Sequence, residues 1–262
     1  MNDSWINKAL SILLTVLKWY LLITLFPFSL LYVFYLKNKK RHEEKKKEYE
    51  ETAYYSATQI PYNRARRQVG IHGEYLLYER LRFLEDLGAK FLFNAYIPKQ
   101  DGTTTEVDMI CVCSRGIFVF ESKDYSGWIF GSENQREWTQ THHSKYSKGG
   151  VHKQRFYNPV MQNRTHVRYL RSFLKAGKDI PMWSVVVFSN GCELKKVEIH
   201  SNDVFVVQLH EVSSLVNALM ADKADVLGEH EIDVIYQSLY PLTQVSDEVK
   251  EKHNTDVGQF SL

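Results

Sequence analysis

Two apolar runs, MICVC at 109–113 and IFVF at 117–120, lie within the stretch TEVDMICVCSRGIFVFESK at 105–123. Short apolar runs bounded by turn residues are consistent with buried β-strands, so this stretch predicts strands over 105–113 and 116–123 joined by a tight turn. A further run, KFLFNAYIP at 90–98, predicts a strand that ends at a proline. Together the three strands indicate a sheet in the first half of the globular region.

A helical repeat precedes these strands. Within residues 66–88, Leu77, Leu81 and Leu84 recur on one stripe, and Gly88 is a suitable C-terminal stop. A second apolar stripe on the same helix is formed by Leu76, Phe83 and Leu87. The two stripes leave open which face of the helix meets the core.

Asn158 and Pro159 predict the start of another helix, because asparagine caps helix N-termini and proline is favoured at the first helical position. We expect this helix to run to Ala176 and to end at Gly177. The other predicted elements are a hairpin over 128–141, a basic glycine-containing loop over 142–157, strands over 182–189 and 203–209, and helices over 211–222 and 229–239. This order predicts a mixed α/β fold with one central sheet flanked by helices.

The N-terminal region carries an apolar segment, WYLLITLFPFSLLYVFYL, over residues 19–36. It has no charged residue, and Lys18 and Lys37 flank it. Because roughly 17–25 apolar residues cross the bilayer core as a helix, the segment predicts a transmembrane helix. An additional interfacial helix over 5–17 is compatible with this topology.

A basic stretch follows the apolar segment, with seven Lys and Arg residues between Lys37 and Lys47. Only Lys8 and Lys18 lie on the other side, so the positive-inside rule predicts a single-pass protein whose C-terminal domain is cytoplasmic. Three cysteines without metal-type spacing fit a reducing compartment. Residues 37–47 are either a contact for anionic lipid headgroups or only a stop-transfer flank.

Composition changes this picture little. The chain has 262 residues, 44% apolar and 24% charged, which is enough for a sizeable core, and its net charge of +2 is unevenly placed. No GxSxG elbow, P-loop or Cys/His zinc pattern occurs. The predicted divisions are a membrane anchor at 1–36, a basic linker at 37–65, a globular core at 66–190, a strand and helices completing it at 191–240, and a loose polar tail at 241–262.

Charged residues interrupt the predicted hairpin. Asp108 shares a strand face with Ile110, while Glu121 and Lys123 share a face of the next strand. Two adjacent antiparallel strands can place both faces on the same side of the sheet. Because unpaired buried charge is costly, such a cluster must be paired or bind a metal ion.

The residue types in this cluster suit phosphodiester hydrolysis. Carboxylates on adjacent strands are hard oxygen ligands of the kind that Mg²⁺ prefers. A lysine two residues after one of them can orient a metal-bound water or stabilise charge that develops on a phosphate. The cluster therefore supplies the minimum chemistry for hydrolysing a phosphodiester bond.

The spacing of Asp108 and Glu121-Ser122-Lys123 resembles the PD-(D/E)xK nuclease superfamily, and the chain more narrowly resembles the nuclease-related domain (NERD) family. The likeness covers about residues 66–190 and implies a PD-(D/E)xK-like mixed central sheet. Val107 precedes Asp108 where the superfamily often has proline. The segments that carry the likeness are GIHGEYLLYERL (70–81), TEVDMI (105–110), GIFVFESKDYSGWIFG (116–131), Trp138 and NPVMQNRTHVRYL (158–170).

The resemblance implies roles for five residues. Asp108 and Glu121 would bind Mg²⁺ or Mn²⁺, and Lys123 would be the catalytic lysine. Glu74 matches the family's helical glutamate, which would assist the metal through water. Gln162 matches the glutamine of the Asn-Pro helix and would lie near the site. The implied substrate is DNA.

Other interpretations of these residues stay open. Glu121 and Lys123 can form a solvent-facing pair on an edge strand, Glu74 can be a surface residue, and Gln162 can make a structural hydrogen bond. Three histidines in or beside the basic loop fit no zinc pattern, namely His142, His143 and His152. The cations of the loop can contact phosphates or be ordinary surface charges, namely Lys145, Lys148, Lys153 and Arg155. The nearby aromatic residues can stack on bases or pack within the hairpin, namely Tyr125, Trp128 and Trp138.

We therefore expect a membrane-anchored cytoplasmic protein with Mg²⁺-dependent nuclease activity on DNA. The alternative is a non-catalytic module that tethers nucleic acid or a partner to the membrane. The intact Asp, Glu and Lys set argues against a decayed nuclease. A third interpretation, a sensor of the lipid surface, depends on residues 37–47 alone.

Overall fold

The computed structural model describes residues 3–143, 150–177, 180–222 and 224–259. The chain divides into two compact units, one up to Thr52 and one from Ala53 onward. The first unit consists mainly of one helix, α1 (Asp3–Glu50). Among the described residues, Trp5–Ile23 is the one stretch that is long and apolar enough to cross a membrane, with 19 residues and a mean hydropathy of 1.5. The segment predicted at 19–36 belongs to the same helix.

The basic stretch after the apolar segment continues α1 without a break. Lys39 and Lys40 lie within 4.0 Å of Glu43 and Glu44, each four positions further on. Pairs at this spacing stabilise an isolated helix. The basic linker is therefore helical as far as Glu50.

The second unit contains the remaining helices and all the described strands. Its helices are α2 (Ala53–Thr58), α3 (Tyr62–Arg67), α4 (Val69–Leu81), α5 (Pro159–Leu174), α6 (Val212–Ala221), α7 (Glu229–Leu239) and α8 (Asp247–Gln259), with 3₁₀ helices at Arg82–Leu87 and Tyr240–Thr243. Its strands are β1 (Lys90–Pro98), β2 (Thr104–Cys113), β3 (Gly116–Lys123), β4 (Gly127–Ser132), β5 (Glu137–His143), β6 (Val151–Tyr157), β7 (Met182–Phe188), β8 (Cys192–Glu198) and β9 (Val204–Gln208).

A five-stranded sheet in the order β1-β2-β3-β7-β9 carries the predicted strands. The first three strands pair antiparallel, whereas β7 and β9 run parallel to β3. Every residue of β7 is buried, as its unbroken apolar run predicts. The prediction of a mixed α/β fold flanked by helices is confirmed, but the strands form two sheets and not the single central sheet that the order of elements predicts.

Side chains cover both faces of this sheet. Val119 belongs to an aliphatic cluster that also contains Leu170 of α5 and Ile232 of α7. Phe118 and Phe120 lie on the other face and are fully buried. In the helical region before β1, the stripe of Leu77, Leu81 and Leu84 is buried, whereas Leu87 of the second stripe is 62% exposed. The first stripe is therefore the one that meets the core.

A second sheet, in the order β6-β5-β4-β8, contains two strands that the pattern did not predict. The prediction of a loop over 142–157 is wrong for Val151–Tyr157, which pairs antiparallel with β5, and residues 144–149 lie outside the described ranges. β8 pairs parallel with β4. Most side chains of β6 are exposed, so its hydrophobic pattern is weak. Backbone pairing with β5 decides its conformation.

The predicted start of α5 is confirmed, but its end is not. The Asn158 side chain accepts a hydrogen bond of 2.9 Å from the N–H of Val160. Its amide also donates to three carbonyl oxygens of the β4–β5 turn, at 2.7–3.2 Å. The helix ends at Lys175 in the left-handed conformation, before Gly177. One residue thus caps α5 and fixes it to the second sheet.

The prediction of a loose tail after residue 241 is wrong for Asp247–Gln259, which forms α8. His253 of this helix is buried, and its Nδ1 lies 3.0 Å from the Thr104 hydroxyl on β2. Its ring packs edge-on against Tyr96 at a centroid distance of 5.4 Å. A single buried polar residue therefore anchors this otherwise polar helix.

Glu133, in the turn after β4, joins three elements through its buried carboxylate. Arg164 of α5 and the Ser201 hydroxyl donate to Oε1, and the backbone N–H groups of His200 and Ser201 donate to Oε2 at 2.6 and 3.1 Å. The Ser201 hydroxyl and the His200 N–H lower the pKa of Glu133 to about 2. The ionised carboxylate is thus a structural group.

Replacing Glu133 by Gln should lower the free energy of unfolding near neutral pH by about 2 kcal/mol, because hydrogen bonds to charged groups contribute roughly 1.5–3 kcal/mol. A carboxyl whose pKa falls on folding stabilises the protein above its unfolded value of 4.5 and loses that contribution as the pH falls toward about 2. Thermal melts against pH should therefore show the two proteins converging in acid. Glu137→Gln, which removes an exposed pair with Arg155, is the control and should cost less than about 1 kcal/mol.

Candidate active site

The pairing of β2 with β3 sets the positions of the two predicted metal ligands. Met109 pairs with Phe120 and Ile110 with Val119, so the register places Asp108 opposite Glu121. Residues directly opposite on antiparallel strands share a face of the sheet. The two carboxyl groups therefore emerge side by side where the apolar part of the hairpin ends, as the sequence predicts.

Lys123 lies beside this carboxyl pair. Its ammonium donates to Oε1 of Glu121 and to Oε1 of Gln162 on α5, the latter at 3.2 Å. Burial lowers the pKa of Lys123, but Glu121 and Asp108 together raise it above its ordinary value. The lysine is thus a fixed cation, and Gln162 is brought to the site as predicted.

Asp108 is held by the backbone of the neighbouring strand. Its Oδ2 accepts a hydrogen bond of 2.7 Å from the N–H of Ser122. Burial, followed by the charges of Glu121 and Glu74, raises the pKa of Asp108 well above its ordinary value, although Lys123 acts in the opposite direction. The carboxyl is therefore oriented and lies among other carboxyl groups.

Glu74 comes to the site from α4. A Cβ atom at the preceding residue, Gly73, would lie only 3.1 Å from the Ser122 hydroxyl and 3.2 Å from Cβ of Asp124. The glycine thus lets α4 lie directly against the end of β3. This contact explains how a helix residue joins a cluster formed on two strands.

One oxygen of the Glu74 carboxyl group is buried without a hydrogen bond to any of the described residues. Its Oε2 is buried and has no hydrogen-bond partner within the part of the chain described. Burial, followed by the charges of Glu106 and Glu121, raises the pKa of Glu74 to about 8, with Tyr54 acting against this. An orphaned buried oxygen facing other carboxylates is a suitable point for a cation.

His166 is a site residue to which sequence reasoning assigned no role. It lies one helical turn after Gln162 on α5 and is buried. Its Nε2 lies 3.1 Å from Oε2 of Glu121, and its Nδ1 lies 2.7 Å from the Thr105 hydroxyl. The spacing of four residues from Gln162 was the signal available, since it places both side chains on one helix face.

These contacts decide the charge of Glu121. Burial raises its pKa, but Lys123 and His166 together lower it below the ordinary value. Glu121 therefore differs from Asp108, whose pKa the same site raises. The site thus contains one carboxyl group whose charged form is stabilised, that of Glu121. The charged forms of the other two, Asp108 and Glu74, are disfavoured.

The comparison with known families agrees with this arrangement. Residues 69–189, which include all five predicted site residues, match the family model described as nuclease-related domain. The chain carries a nuclease-related domain (NERD). The resemblance that the motifs predict is therefore confirmed.

One relative extends beyond the nuclease-related domain itself. An uncharacterized protein of Bacillus anthracis is 29% identical over 185 residues, which cover 70% of this chain and 81% of the relative. No solved structure matches the chain significantly.

The donor set of the nuclease-related domain fits a hard divalent cation. Glu74, Asp108 and Glu121 lie close enough to alter each other's pKa, and oxygen ligands of this kind suit Mg²⁺. No group of three or more His, Cys, Asp and Glu side chains in the described ranges has the arrangement of a complete metal cluster. Mg²⁺ commonly keeps several waters, so two carboxylates are an adequate protein contribution.

The aromatic residues of the second sheet serve different purposes. Trp138 is buried, and its ring lies parallel to that of Phe188 at a centroid distance of 6.2 Å. Trp128, in contrast, is 42% exposed, with the Lys195 ammonium 5.3 Å from its ring centre. Trp138 therefore packs in the protein interior, in agreement with the interpretation that it belongs to the core of the hairpin.

Proposed function

We propose that the nuclease-related domain hydrolyses phosphodiester bonds in DNA with Mg²⁺ as its cofactor. One observation carries the proposal: Lys123 is fixed between Glu121 and Gln162, beside Asp108 on the paired strand. Neighbouring carboxylates for the metal and a permanent cation next to them are the groups that this hydrolysis requires. The Lys123–Glu121 pair is largely buried, which distinguishes it from an ordinary ion pair on the protein surface.

Each side chain would have a distinct task. Asp108 and Glu121 would hold the cation, which when bound supplies a Lewis acid for a phosphate oxygen and lowers the pKa of a bound water. Lys123 would donate a hydrogen bond to the attacking water or to a phosphate oxygen and so stabilise the negative charge of the transition state. Gln162 and His166 would orient Lys123 and Glu121, respectively.

We also propose that α1 anchors this activity to a membrane with the second unit in the cytoplasm. The apolar residues Trp5–Ile23 and the helical continuation through 19–36 support the span. The seven cations between Lys37 and Lys47 support the orientation, because only two lysines precede the predicted span.

The full-length chain in detergent micelles should cleave DNA with Mg²⁺ or Mn²⁺ and lose this activity with EDTA. Linear duplex, single-stranded and supercoiled DNA should be compared, with RNA as the test of substrate class. Product formation that requires the metal supports the proposal. DNA binding without cleavage under every metal condition would instead favour a non-catalytic tether, and would overturn the hydrolase assignment.

A further inference from the structure

A groove of about 520 Å³ lies next to the carboxylate cluster in the second unit. Its floor is formed by residues that follow three parallel strands, β3, β7 and β9. Ligands of sheets with parallel strands commonly bind beyond the carboxyl ends of those strands. The volume suits a ligand the size of a nucleoside.

The groove and the site share two walls. Asp124 and Tyr125 line the groove and directly follow Lys123 in the chain. Helix α4 contributes Leu76 to the groove and, two residues earlier, Glu74 to the site. A ligand in the groove would therefore lie beside any phosphate held at Lys123.

Two polar side chains of the groove, Asp124 and Gln140, offer hydrogen-bond acceptors to a ligand. Gln140 donates its amide to the Ser126 carbonyl oxygen at 2.7 Å, which leaves its Oε1 without a partner in the described ranges. The Asp124 carboxylate also has no hydrogen bond or ion pair among the described residues. Asn190 accepts from the backbone and ring of His210, so its amide N–H₂ remains available as a donor.

We propose that this groove binds one unpaired base of the DNA strand next to the cleaved phosphodiester bond, and that it favours adenine, cytosine or guanine over thymine. The inference rests on the proposed function and adds a specificity site to it. The exocyclic amines of the three favoured bases each carry two N–H groups that can donate to Asp124 and Gln140 together, whereas thymine offers only its single N3–H. Leu76 and Leu209 provide apolar contacts for the base.

Two substitutions separate this subsite from the catalytic groups. Ser126→Phe places an aromatic ring at the exposed mouth of the groove, where the change does not disturb buried packing. Gln140→Leu replaces the amide with an apolar side chain of similar size and so removes the Oε1 acceptor. Gln154→Leu is the matched control, because Gln154 pairs with Gln140 in the sheet but is exposed and outside the groove.

Full-length protein in micelles should be given a randomised pool of single-stranded oligonucleotides with Mg²⁺, and the cut ends should be sequenced. We expect thymine to be depleted about tenfold at one position beside the cut, as one good base contact allows. Ser126→Phe and Gln140→Leu should abolish most of this depletion, whereas Gln154→Leu should retain it. An even base distribution in the unmodified protein, or unchanged depletion in Ser126→Phe, would overturn the subsite while leaving hydrolysis intact.

A binding measurement covers the case in which no cleavage occurs. Fluorescence anisotropy with Ca²⁺ should show tighter binding of oligo-dC than of oligo-dT, and Ser126→Phe should remove the difference. This result would support the subsite even though the proposed hydrolysis fails. Equal affinity for the two oligonucleotides would overturn the subsite.

Discussion

Lys123→Ala should reduce the rate of metal-dependent DNA cleavage by roughly 10²–10³-fold or more, the loss seen when a single group that stabilises transition-state charge is removed. Lys123 is the only cation among the described residues that contacts both Glu121 and Gln162. The substitution removes the charge that faces the phosphate and also the partner of a buried carboxylate. We expect kcat to fall far more than DNA affinity, because the lost interaction belongs to the transition state.

The fold of this variant needs its own measurement. Removing one partner of a buried ion pair costs about 3–5 kcal/mol. Lys123→Met keeps the apolar stem of the side chain and should melt closer to the unmodified protein, yet it should be equally inactive. Lys123→Arg should not restore the rate, because a planar guanidinium cannot replace a compact ammonium between two oxygen atoms.

Lys196 provides the control for these variants. It lies on β8 with a 73% exposed side chain and pairs with Glu198. Lys196→Ala should cleave DNA like the unmodified protein. Cleavage by Lys123→Ala at the unmodified rate, in the same preparation series, would show that the activity comes from another site or from a contaminant.

Asp108→Asn should abolish metal-dependent cleavage and, at the same time, stabilise the protein when no metal is present. Asn retains an acceptor for the N–H of Ser122 but removes a carboxyl that lies beside Glu121 and Glu74. Relief of this repulsion should raise the free energy of unfolding by ~1 kcal/mol, a common gain when a functional group is removed. The variant therefore distinguishes a site built for a cation from an ordinary polar cluster.

Thermal melts with EDTA and with Mg²⁺ measure both effects. At a Mg²⁺ concentration about 100 times its Kd, binding should stabilise the unmodified protein by ~2.7 kcal/mol, and Asp108→Asn should lose this increment. Asp233→Asn, which alters an exposed pair with Lys90, should keep it. Equal stabilisation of all three proteins by Mg²⁺ would remove Asp108 from the metal site.

The two effects have one physical origin. Glu74 and Asp108 both have raised pKa values because burial and neighbouring carboxylates disfavour their charged forms. Lys123 and His166 satisfy Glu121, but no cation among the described residues does the same for the orphaned oxygen of Glu74. The protein therefore keeps an electrostatic cost at this point, which is characteristic of functional sites.

The hairpin and its charged end are predictable because they depend on local periodicity. Apolar runs on either side of a Ser-Arg-Gly turn define β2 and β3, and the alternation of side-chain direction along a strand places Asp108, Glu121 and Lys123 on one side of the sheet. Asn158 likewise predicts the start of α5, since capping involves only neighbouring backbone groups. These conclusions need no knowledge of distant contacts.

Strand β6 and helix α8 show where local information ends. The side chains of β6 are mostly exposed, and its extended form depends on backbone bonds to β5. Helix α8 is polar, and buried His253 ties it to Thr104, which is far away in the chain. Neither element has an apolar repeat strong enough to identify it, because each depends on a partner supplied by the rest of the fold.

By itself, the sequence determined the mixed α/β class, the apolar N-terminal helix, the nuclease-related motifs and the shared face of the two strand carboxylates. Periodicity, capping and residue type operate within a few positions, so they are readable along the chain. Only the tertiary structure decided that α4 brings Glu74 to those carboxylates, that His166 braces Glu121, and that a groove opens beside Lys123. Those features depend on how separate elements pack, and packing is set by contacts between residues that are distant in sequence.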